Sequence, residues 1–247
     1  MATNNPAGRL LELMAVARKI PKNVNGGDAW RQVLSDEDEE SLELDSLLER
    51  LSRVVVLPAA IRRDVTSVEG INHDLYLRHM GVWERAFSSR IRFDAQWSHF
   101  MELFNGEHFY SLETCDELLA REKPEAVLSP EFVAEIASEF DEMRHRIVEA
   151  DLDDELRAFL LAGLDRMREA LRHYRFSGIP PVIEALEASI GAAQLQPEVT
   201  RRSNETELGK QYWSGMGRVY AHVREEWHPY RAIKGAVVDI LALPSGP

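Results

Sequence analysis

Cysteine is the scarcest residue in this 247-residue chain: Cys115 stands alone. No disulfide can form within the chain, and a reducing compartment is the expected home. Long apolar runs are missing too. No stretch approaches the ~18–20 residues of a membrane span. The opening "MATNNPAGRLLELMAVARKIPK" is interrupted by Arg9, Glu12, Arg18 and Lys19, so it does not read as a secretory signal. Basic clusters are short, with Arg62-Arg63 and Arg201-Arg202 the densest in a chain of formal net charge −13. Nucleic acid is bound by Lys and Arg displacing counterions from phosphates, so this balance argues against it as a partner. Gly-x-Gly-x-x-Gly, the P-loop, Gly-x-Ser-x-Gly, His-Glu-x-x-His and Cys-x-x-Cys are all absent. Their absence removes the nucleotide, hydrolase, zincin and thiol-redox chemistries that those motifs carry. The expectation is a cytoplasmic protein with no cofactor, no metal site, no membrane contact and no nucleic-acid partner.

What is present is helix. Apolar residues recur three and four apart, and no segment sustains period-two alternation. Asn5-Pro6 reads as N-cap and first turn of a helix striped by Leu10, Leu11, Met14 and Ala17. "NVNGG" reads as a turn before "DAWRQVL", with Asp28 as cap. Ser35 reads as the cap of the next helix, whose acidic first turns suit the macrodipole. Its face would be Leu44, Leu47, Leu48, Leu51, Val54 and Val55, with Pro58 kinking it or starting another. Aromatics crowd the middle: Trp83, Phe87, Phe93, Trp97, Phe100, Phe104, Phe109 and Tyr110. Side chains this large usually build a core, so the cluster reads as core rather than as a binding groove. Two long helices, about 130–150 and 154–176, are joined by the short "DLDDE" and should form an antiparallel hairpin. "QPEVTRRSNETE" reads as a connection, placing a boundary between a helical bundle domain, 1–196, and a C-terminal helical extension, 197–247.

Glu-x-x-His, a spacing that carboxylate-bridged metal proteins place on helices, occurs twice: Glu142/His145 and Glu225/His228. Helical geometry argues against a site. The stripe Val133, Ile136, Phe140, Met143 and Ile147 centres near ~320° around its helix, while Glu142 and His145 fall at about 180° and 120°. The stripe Tyr212, Met216, Val219, Val223 and Trp227 centres near ~20°, with Glu225 and His228 at about 220° and 160°. Both pairs are expected on solvated faces. "DLDDE" opens like a calcium loop, but the loop glycine is missing and its twelfth position is Ala162.

Arg168 and His173 stand in "RMREALRH" at an Arg-x4-His spacing. In these two residues the chain resembles the helical HEPN ribonucleases, and the resemblance implies RNA cleavage by that pair. It departs from the pattern in placing Glu169 after the arginine. On an unkinked helix, five residues separate the two by about 140°, so the pair is expected exposed and apart. "NPAGRLLELMAVARKIP" with the aromatic middle also resembles bacterial helical proteins, which carries no activity with it.

The last apolar segment, "YRAIKGAVVDILAL", aligns Tyr230, Ile233, Val237, Ile240 and Leu241 on one helical face. Such a face docks on its own core, fits a partner's groove or completes a homodimer. The expectations are therefore an all-α, multi-helix bundle of about nine or ten helices with a central long hairpin. Its function is expected to be non-enzymatic. It would be a regulatory, immunity or accessory subunit, acting on a protein partner or a second copy through helices, with those five residues as the contact. The alternative is a HEPN-like RNase or a metal-dependent helical enzyme.

Overall fold

The computed structural model describes residues 4–36 and 42–226. All regular structure among them is helical, apart from one isolated antiparallel bridge between Asn25 and Gln96. Fourteen helices are present among the described residues, more than the nine or ten expected. The excess comes from short elements that periodicity cannot register. No helix among the described residues is long and apolar enough to cross a membrane.

The chain divides into two compact units. The first comprises the described residues up to Pro124 together with Arg175–Gly178; the second comprises Glu125–Tyr174 and the described residues from Ile179 on. The boundary expected at 196/197 falls inside the second unit.

The first unit contains α1 (Pro6–Ala17), α2 (Gly26–Leu34), α3 (Leu44–Val55), α4 (Leu57–Thr66), α5 (His73–Tyr76), α6 (Met80–Ser89), α7 (Trp97–Met101) and α8 (Gly106–Glu122). Helix α1 packs on α2, α4 and α8. Asn5 caps it as expected, accepting from the amides of Ala7 and Gly8, while its side-chain amide donates to Asp116 on α8 at 2.7 Å. The start of α2 is fixed by Asn25 rather than Asp28: its side-chain oxygen accepts from Gly27 N at 2.9 Å. Gly26 is required here, because a Cβ would lie 2.1 Å from the Arg92 carbonyl. Ser35 ends α2 instead of starting α3, its hydroxyl returning to the Arg31 carbonyl. Helix α3 begins only at Leu44, where apolar residues resume, because packing rather than charge carries a short helix. Leu47, Leu51 and Val54 are buried, but Leu44 and Leu48 are exposed. Pro58 sits in the first turn of α4, so it starts a new helix.

The second unit contains α9 (Pro130–Glu149), α10 (Asp154–Arg172), α12 (Pro180–Leu195), α13 (Pro197–Glu205) and α14 (Glu207–Glu226). The short α11 (Tyr174–Ser177) begins in it and ends in the first unit. Helix α10 stops at Arg172, earlier than the expected Phe176, with His173 as C-cap and Gly178 at φ +70°. The stretch expected to be a connection is α13, with Pro197 in its first turn; it packs on α10, α12 and α14. Its helical character is invisible to hydropathy because only Val199, Thr200 and Ser203 turn inward. Helices α9 and α10 lie side by side, with Arg144 paired to Asp165 at 2.8 Å and Arg168 paired to Asp141.

Candidate functional site

In the first unit the end of α1 and the start of α8 leave an open groove of about 560 Å³. Its floor is apolar, built from Ala17 and Ile20 on one side and Met101, Phe104 and Phe109 on the other. Arg18, Lys22, Tyr110 and Glu113 form the rim. Arg18 caps α1, a favourable place for a cation beside the helix carbonyl end, and its guanidinium lies 4.7 Å from the centre of the Phe109 ring. Neither Arg18 nor Lys22 is in a salt bridge among the described residues. Tyr110 is 71% exposed.

The α8 end of the groove is held by a reciprocal capping box. Asn105 accepts from the amides of Glu107 and His108, and the Asn105 amide donates to His108 Nδ1 at 3.0 Å. Burial, and then the neighbouring His79, hold the His108 imidazole below its ordinary 6.5. That keeps Nδ1 free to accept.

A smaller pocket of about 280 Å³ lies in the second unit. Tyr212 and Ser189 line it, and Arg166 and Glu155 stand beside them. Burial pushes the Tyr212 phenol up to about 12. Its hydroxyl presses on Gly163, where a Cβ would lie 2.0 Å away. This tyrosine is a packing element.

Most of the aromatic cluster belongs to the core, as expected, while Phe93 is only partly buried and Tyr110 is exposed. Trp83, Phe87, Trp97 and Phe100 are buried, and Trp30 joins them with its ring centre 5.2 Å from that of Trp97. The partly buried Phe104 and Phe109 also face the groove. Sequence reasoning weighed core against groove, and these rings serve as both. Cys115 is fully buried, its thiol directed at the Tyr76 carbonyl, and burial pushes its pKa up to about 12. A thiol so held is no nucleophile.

The expected outward positions of Glu142 and His145 are observed: both are exposed, and His145 Nδ1 lies 2.7 Å from the Asp141 carbonyl in its own helix. His228 and the Glu225 side chain lie outside the described residues. Arg168 and His173 are not an exposed pair. Arg168 is held by Asp141 and Asp165, and His173 is buried with Nε2 3.3 Å from Glu169. The C-terminal face Tyr230, Ile233, Val237, Ile240 and Leu241 also lies outside the described residues. Sequence reasoning missed Arg18 and Lys22, whose only signal was two cations following an apolar stripe.

No protein-family model, curated protein or solved structure matches this chain.

Proposed function

We propose that the chain is a non-enzymatic, cytoplasmic helical interaction protein, a regulatory, immunity or accessory subunit, with α9 and α10 as its central hairpin. The observation that carries this reading is the outer face of α3. Leu44 and Leu48 stand one turn apart at 51% and 46% exposure. A pair of exposed aliphatic side chains one turn apart is the kind of anchor that helix-in-groove recognition uses. Each leucine is already about half-buried, so entering a partner's interface contributes about 1 kcal/mol through burial, roughly half of a full leucine transfer. The C-terminal face Tyr230, Ile233, Val237, Ile240 and Leu241 is proposed as a second contact of the same kind, on a protein partner or a second copy.

Light-scattering mass after gel filtration tests this on three proteins: the full chain, a chain ending at Pro229, and Leu44→Glu with Leu48→Glu. A dimer or a defined complex that either change dissociates supports the reading. Three well-folded, partner-free monomers refute it.

A further inference from the structure

We propose that the groove between α1 and α8 binds an amphipathic organic anion, a small molecule with an acidic group and an aromatic or branched apolar body. The acidic group would sit on Arg18 and Lys22, and the body on Ile20, Met101, Phe104 and Phe109. This goes beyond the interaction reading and does not depend on it.

Three observations converge. The first is size: about 560 Å³ falls within the range of small-molecule sites, roughly 300–1,000 Å³. The second is the charge on the rim. The chain carries 42 acidic and 29 basic residues, and most arginines among the described residues are paired with a nearby carboxylate, as Arg62 is with Glu84 and Arg202 with Asp153. Among the described residues Arg18 and Lys22 are, like several other cations, outside such pairs, and these two line the same groove. Glu113, the one carboxylate on that rim, makes no salt bridge to either. Cations without a carboxylate partner in an acidic protein leave a local positive field for an anion. The third is the floor. Phe109 is covered by the Arg18 guanidinium, so the cation is held against an aromatic face instead of extending into water. An anion drawn to Arg18 is thereby brought onto the apolar wall. The amides at the start of α8 add little, since Asn105 already occupies those of Glu107 and His108.

The chemistry excludes the neighbouring classes. A purely inorganic anion would leave the rings unused, and a neutral hydrophobe would leave the cations unused. A nucleic-acid strand needs a basic track longer than two residues.

The probes are 8-anilinonaphthalene-1-sulfonate and its uncharged relative N-phenyl-1-naphthylamine, titrated by fluorescence into the full chain. The variants are Arg18→Gln with Lys22→Gln and, as a charge-matched control away from the groove, Arg90→Gln with Lys123→Gln. Far-UV circular dichroism checks that each is folded. The sulfonate should bind the unaltered protein at one site. The groove variant should weaken it about tenfold or more, since a charge-assisted contact accounts for about a decade of affinity. The neutral probe should change less than about twofold, as it makes no such contact. The control should bind both probes as the unaltered chain does. The proposal is overturned if the unaltered chain binds no sulfonate, if the groove variant binds it undiminished, if the control loses as much, or if the neutral probe weakens in parallel.

Discussion

The two units bury apolar surface with different side chains. The first assembles eight mostly short helices around aromatic rings: Trp30 edge-on to Trp97 and Phe100, and Trp83 stacked on Phe104 at 4.1 Å. The second assembles longer helices around Ile136, Phe140, Leu160, Leu164, Met167 and Val219, and laces their outer surfaces with ion pairs. Arg144 and Arg168 bridge α9 and α10, and Arg218 bridges α14 to Glu135 and Glu139 on α9. Short helices present little regular surface, so a few large rings must fill irregular gaps between them. Long helices offer repeating ridges that aliphatic side chains fill, and their parallel flanks bring opposite charges together. Pairs this exposed contribute little to stability, about 1 kcal/mol or less each.

The largest way to break this contrast is Trp83→Ala. Trp83 is fully buried among Phe87, Phe104 and Phe109, and truncation should cost about 3–5 kcal/mol, read by urea unfolding with near-UV circular dichroism. In the second unit the sharpest probe is Gly163→Ala. The new methyl meets the Tyr212 hydroxyl, and overpacking should cost about 1–3 kcal/mol. Adding Tyr212→Phe should restore part of it; no restoration would mean that the clash lies elsewhere.

Arg168→Ala should cost no more than about 1 kcal/mol, because both its partners are half-exposed. The loss should shrink in high salt. A loss of several kcal/mol would show that ion pairs, not aliphatic burial, hold the second unit. The smallest effect belongs to His108 in the first unit. Its folded pKa lies below the ordinary 6.5, so the unfolded chain takes up this proton first on acidification. The contribution is full above that value and is lost as pH falls through the folded pKa. Glutamine keeps the capping acceptor without titrating. His108→Gln should therefore match the parent at pH 7.5 and lose less stability by pH 5 in urea melts. An identical acid slope in both would remove His108 as its source.

The same contrast explains what the sequence made legible. In α9, the interior positions Ile136, Phe140, Met143 and Ile147 were readable because 20 residues give the period room to repeat. In α5, α7 and α11, four or five residues give no period at all. Asp28 and Ser35 were misassigned as helix-starting caps because a capping residue type suits either end of a connection, and only the carbonyls of Phe93 and Ala95, bonded to the amides of Gly27 and Gly26, decide where α2 begins. The candidate groove was less legible still. Arg18 and Lys22 stand some ninety positions before Phe109, and only the packing of α1 on α8 unites them.

The burial of Cys115 makes the protein its own reporter. With its thiol sealed and pushed up to about 12, an alkylating reagent can reach it only when the surroundings of α8 open. It is the sole cysteine and lies in the first unit, so the alkylation rate in native buffer reads how often that unit opens, with no contribution from any other thiol.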